Sequence, residues 1–148
     1  TYGLGDWEFI PSSTSGMLSM VKKAMRRDQW IVFQAWKPHW MVIEMDIKFL
    51  KDPEEIWPGQ GRQTDVWTII HSGFEEKNPN VTKFLKQLKV TPKWQSKWIY
   101  DFSYSDQDAE HVARIWIKKN MDVVAEWTAG VTTVDGQNAL DALKAKFK

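Results

Sequence analysis

The chain has 148 residues, enough for one domain with a real core. Its 20 Lys and Arg against 19 Asp and Glu leave a net charge of +1, so no field of one sign is present to draw in nucleic acid or an anionic membrane. No apolar run approaches the roughly 20 residues of a bilayer span, and the absence of cysteine excludes disulfides, thiolate metal sites and a cysteine nucleophile. Thr1 opens the chain with neither a leader nor an initiator Met, the reading of a mature form or a fragment. The unusual count is ten Trp. An indole is large and needs a partner for its N–H when buried, so this density sets the question of which indoles do more than fill a core.

Tyr2-Gly3-Leu4-Gly5 has the glycine stops of a helix end, and residues 7–10 read as a short strand. Ser12, Ser13 and Thr14 then offer N-caps for a helix with Met17, Leu18, Val21 and Met25 on one face and Lys22, Lys23, Arg26 and Arg27 toward its C-terminal end. A helix N-terminus of this kind also suits an anion, although capping is the simpler role. Residues 30–36 carry apolar residues on both faces, Trp30, Val32, Gln34 and Trp36 on one and Ile31, Phe33 and Ala35 on the other, the pattern of a parallel strand covered by helices on each side. Strand, helix and strand are spaced as a right-handed crossover. Pro38 has no donor for a ladder and ends the run, so Trp36, His39 and Trp40 gather at the strand's carboxyl end, where open α/β sheets bind ligands.

Residues 41–44 fit a helical turn, and 45–49 alternate as a strand with one exposed face. Asp52-Pro53 breaks that strand, Trp57-Pro58-Gly59-Gln60-Gly61 is a loop, and 66–70 is a further strand. From Phe74 onward the signals are helical. Asn78-Pro79-Asn80 starts one helix with Val81, Phe84, Leu85 and Leu88 on one side, and Thr91-Pro92 is a cap followed by proline at the first helical position. Trp94, Trp98 and Phe102 recur every fourth residue, and Ser105 with Asp108 resembles a capping box. Ala109, Val112, Ile115 and Trp116 make the next inward face, and residues 120–127 form one more helix. Residues 131–136 are a turn region, followed by a short lysine-rich helix that reads as a peripheral appendage.

No catalytic signature is present. His39, His71 and His111 each lack a second histidine at metal spacing, no phosphate-binding glycine loop occurs, and Ser12-Ser13 has no nucleophile elbow around it. The reading is a binding protein, not an enzyme, with no cofactor. A quaternary ammonium has no N–H for hydrogen bonds to select, whereas aromatic faces attract it through their quadrupole. Trp36 and Trp40 are the candidates to supply such faces, with His39 between them able to donate to an anionic group on the same ligand. Trp94, Trp98, Trp116 and Trp127 read as core, Trp7 and Trp30 as buried strand residues, and Trp57 and Trp67 have no partner that singles them out. The alternative class is a tryptophan-based carbohydrate-binding module, which needs a flat exposed row of rings where a quaternary ammonium needs a converging box.

Tyr2-Gly3-Leu4-Gly5-Asp6-Trp7, the Ser12-Ser13 helix start, Trp36-Lys37-Pro38-His39-Trp40-Met41, Lys48-Phe49-Leu50-Lys51-Asp52-Pro53 and the stretch from Asn78 to Trp127 together resemble glycine betaine/proline betaine substrate-binding proteins of osmoprotectant ABC importers. The resemblance covers residues 1 to about 127 and the C-terminal half of such proteins. It implies an α/β, type II periplasmic-binding-protein-like fold, sheets flanked by helices, with a betaine-like quaternary amine in an aromatic box between two lobes. Trp36 matches the box tryptophan, and His39 and Trp40 follow it in the motif. The implied partner is an ABC permease, with no nucleic acid, and the implied location is periplasmic or extracytoplasmic, membrane-associated through the transporter. Residues 1–40 would be part of the second lobe, 41–130 the hinge return and the C-terminal part of the first, and 131–148 an appendage. Half of each lobe leaves sheet edges uncovered, so the expectation is a fragment, or a chain completed by a second chain or copy.

Overall fold

The computed structural model describes residues 2–56 and 65–147, in two compact units that divide between Trp36 and Lys37. The loop expected around Trp57 lies outside the described residues.

The first unit is built on α1, Thr14–Met25. Ser13 caps it, its Oγ accepting from the Gly16 N–H at 3.2 Å, which satisfies one of the donors that the first turn leaves open. A Cβ at position 16 would stand 2.3 Å from Ser12 Oγ, so a larger residue there requires that hydroxyl to rotate away. Leu18, Val21 and Ala24 turn inward at helical spacing, and Lys22 and Lys23 occupy the last turn, where the helix dipole favours cations. The two strands expected on either side of this helix, at 7–10 and 30–36, are not formed; both segments run without regular structure. Trp7 and Trp30, expected to be buried, are exposed, Trp30 to 93%. The physical reason is that a strand is buried by its neighbours in a ladder, and no strand ladder exists among the described residues.

The second unit is helical. After α2 (Met41–Glu44) come α3 (Phe74–Lys77), α4 (Pro79–Gln87), α5 (Pro92–Ile99), a π-helical turn (Tyr100–Tyr104), α6 (Ala109–Lys119), α7 (Met121–Trp127) and α8 (Ala139–Lys146). The strands expected at 45–49 and 66–70 are again unpaired, with Val66 and Ile69 more than nine-tenths exposed. Start signals did decide the helices. Thr91 Oγ1 accepts from the Trp94 N–H at 3.2 Å with Pro92 in the first turn, and Gly73, at φ 76°, precedes α3. Asp108, not Ser105, caps α6, its Oδ1 accepting from the His111 N–H at 2.9 Å.

Packing follows these faces: α4 lies on α7, α2 on α5, α6 on α7 and α7 on α8. Met41, Met45, Val112, Val124, Trp127 and Val131 are buried. Four indoles join α5, α6 and α7. Trp116 stacks on Trp127 at 5.2 Å and receives Trp94 and Trp98 edge-on at 5.2 and 5.0 Å. These are favoured aromatic geometries, each pair contributing about 0.5–1.5 kcal/mol beyond area burial. The C-terminal region is anchored as well as appended. Asn80 of α4 donates to the Thr132 carbonyl at 2.6 Å and accepts from its N–H at 3.0 Å, while Gln87 donates to the Trp127 carbonyl at 2.8 Å. No helix among the described residues is long and apolar enough to cross a membrane.

Candidate functional site

Of the three sequence-predicted site residues, Trp36 closes the first unit, 38% exposed, and His39 and Trp40 open the second. His39 and Trp40 are brought together with residues that sequence reasoning passed over. The chain enters α2 through a cis Lys37–Pro38 bond, and Trp40 is the N-cap residue of that helix. Two hydrogen bonds hold His39. Its backbone N–H donates to Oγ of buried Ser96 on α5 at 3.3 Å, and its Nδ1 accepts from the Met41 N–H at 3.2 Å. A ring whose Nδ1 accepts carries its proton on Nε2 when neutral. Partial burial holds the imidazole below the ordinary histidine range and favours that neutral tautomer.

Trp40 belongs to an aromatic row. The His39 ring is 5.2 Å from it and the Tyr104 ring 4.8 Å, tilted by 33°. Tyr104 in turn stacks on Tyr100 at 5.1 Å, and the Lys97 ammonium lies 5.6 Å over the Tyr100 ring. The row thus already receives one cation, tethered through its own chain and also paired with Asp101 at 2.6 Å. The Tyr104 hydroxyl donates to Glu44 Oε1 at 2.5 Å, tying the π-helical turn to α2 across 60 residues of sequence. That bond to the carboxylate, and then burial, raise the phenol's pKa, so Tyr104 remains a donor at neutral pH.

Tyr100 and Tyr104 sit at the two ends of the π-helical turn and stack on one another. A wider turn shifts every following residue round the helix axis relative to an α-helix, and such turns are frequent at functional positions. The same shift breaks the expected stripe: Trp94 and Trp98 point into the core, but Phe102 is exposed. The sequence held a signal that was not used, two tyrosines four apart following the indole stripe. The π turn itself has no sequence signature that the periodicity could reveal. Among the described residues no group of His, Asp and Glu is arranged to hold a metal.

Residues 1–119 match the family model for the substrate-binding domain of the ABC-type glycine betaine transport system, OpuAC. The chain belongs to this family. The glycine betaine/carnitine transport binding protein GbuC of Listeria monocytogenes is 37% identical over 137 residues, which is 91% of this chain and 44% of that protein. Among solved structures, an ABC-transporter choline binding protein in complex with choline superposes with a TM-score of 0.76 at 29% identity, over 98% of this chain and 50% of its own. An unliganded, semi-closed choline binding protein gives 0.71, also at 29% identity, over 99% and 51%. The chain therefore has the fold of periplasmic-binding-type receptors and spans about half the length of the relatives it matches. Those relatives are transport binding proteins, not enzymes.

Proposed function

We propose that this chain supplies part of the solute-binding component of an ABC importer for a quaternary ammonium osmoprotectant, working outside the cytoplasmic membrane with a permease. The observation that carries the reading is the aromatic row on Trp40 with a neutral, hydrogen-bond-positioned His39 beside it. Trp40 offers a face to the trimethylammonium group, each such ring contributing roughly 0.5–2 kcal/mol as the cation is desolvated. His39 Nε2–H donates to the ligand's carboxylate or hydroxyl. Trp36 stands in the family's motif position, and the Trp36→Ala titration below tests its part in binding. Supporting this choice of ligand class, GbuC is named for glycine betaine and carnitine, and the solved neighbour holds choline.

In the finer form of the proposal the fold is type II, residues 1–40 belong to one lobe and 41–130 return to the other, and 131–148 lie outside both. The exposed apolar segments at 7–10, 30–36 and 66–70 are then strands that pair with polypeptide beyond this chain or with a second copy. Light scattering tests that part, since a stable monomer of 17.4 kDa with a sharp thermal transition would contradict it. Binding is tested by tryptophan fluorescence titration with glycine betaine, carnitine, choline and a panel of sugars. Saturable change with the amines alone, weakened about tenfold or more in Trp36→Ala and Trp40→Ala, is expected. Response to sugars in place of amines would move the chain to the carbohydrate-binding class.

A further inference from the structure

Glu44 is exposed at the last residue of a four-residue helix, and among the described residues it makes no ion pair. It accepts a hydrogen bond from Tyr104, whose ring lies 4.8 Å from Trp40. The carboxylate is thereby held at the hydroxyl end of the ring that lies tilted against Trp40, the proposed wall for the ligand's ammonium group. The site thus has an acidic side chain, oriented by a phenol, beside its aromatic wall.

We infer that Glu44 is a specificity-determining residue that favours ligands of net positive charge over zwitterions. The inference rests on the reading of Trp40 as a ligand wall. An ammonium near Trp40 is attracted by Glu44 whichever ligand carries it. In choline nothing opposes that attraction, whereas in glycine betaine the ligand's own carboxylate is repelled and part of the gain is cancelled. Tyr104 has a separate role as a positioning residue, fixing the carboxylate and the Trp40 plane together.

The two roles come apart in three variants titrated with choline and glycine betaine by calorimetry. Glu44→Gln keeps an oxygen to accept from Tyr104 and loses only the charge. It should lower the choline-to-betaine affinity ratio about threefold, the size expected of one charge a few ångströms away near a surface. Glu44→Lys should lower the ratio further, by about tenfold, and raised salt should narrow the wild-type ratio toward that of Glu44→Gln. Tyr104→Phe keeps the charge and loses the tether, so it should weaken both ligands alike and leave the ratio near wild type. An unchanged ratio in both Glu44 variants, with Trp40→Ala still weakening both ligands, would overturn the role of Glu44 alone. Full affinity for both ligands in Trp40→Ala would overturn the underlying reading as well.

Discussion

The four indoles of residues 94–127 and the apolar segments at 30–36 and 66–70 are similar in composition and opposite in fate. Trp127 is 8% exposed in a stacked cluster, while Trp30, Val66 and Ile69 stand almost wholly in solvent. Helices explain the first case. Each forms its own hydrogen bonds from local sequence, so α5, α6 and α7 exist independently and need only turn matching faces toward one another. A strand has no such autonomy, because its donors and acceptors are satisfied by another segment, often distant in sequence. Among the described residues the helices therefore carry the structure, and the strand-patterned segments find no ladder partner. The row on Trp40 falls on the helical side, being assembled from α2, α5 and the π-helical turn.

The strongest test of this contrast is Trp127→Ala. Removing a buried, stacked indole should cost about 3–5 kcal/mol of the second unit's stability, read as a shift of the urea midpoint. Trp40→Ala should cost less, about 1–2 kcal/mol for a half-buried ring, while weakening quaternary-amine binding about tenfold or more; a stability loss equal to that of Trp127→Ala would make Trp40 a core residue instead. Asp108→Ala, which deletes the α6 cap, should cost about 1 kcal/mol and leave amine binding intact. At the small end, Trp30→Gln should change stability by no more than about 0.5 kcal/mol, since its ring contacts solvent. A larger loss, dependent on protein concentration, would show Trp30 covered by a second copy.

His39 adds a pH dependence with a defined sign. Its pKa is lowered in the folded chain, so on acidification the unfolded state takes up this proton first. The contribution is present above the ordinary histidine value, near 6.5, and is lost as pH falls from there through the depressed folded value. Thermal melts of His39→Gln should lack that part of the acid-side decline; identical pH profiles would show that His39 does not titrate against folding.

Much of the helical fold was legible in the sequence because caps and prolines act locally. Ser13, Thr91-Pro92 and Asn78-Pro79 mark starts that the structure uses. The strands were legible as pattern but not as structure, since alternation cannot say which segment pairs with which. Trp36, His39 and Trp40 were singled out as candidates from the Trp-Lys-Pro-His-Trp run, and the structure sets His39 and Trp40 side by side. Glu44, Ser96, Tyr100 and Tyr104 were not, because they reach the site through tertiary contact. The backbone widening between Tyr100 and Tyr104 was likewise illegible, so a periodicity of 3.6 residues per turn misplaces Phe102, which is exposed.

The central claim is that a cationic head group, and not merely a bulky apolar one, is recognised by the aromatic row. Calorimetry of glycine betaine against its tert-butyl carboxylate isostere, in which carbon replaces the ammonium nitrogen, isolates that charge at nearly constant shape. Tighter binding of the betaine by about tenfold or more, with the difference shrinking in Trp40→Ala, is the expected result. Equal affinity for the two compounds would contradict the account.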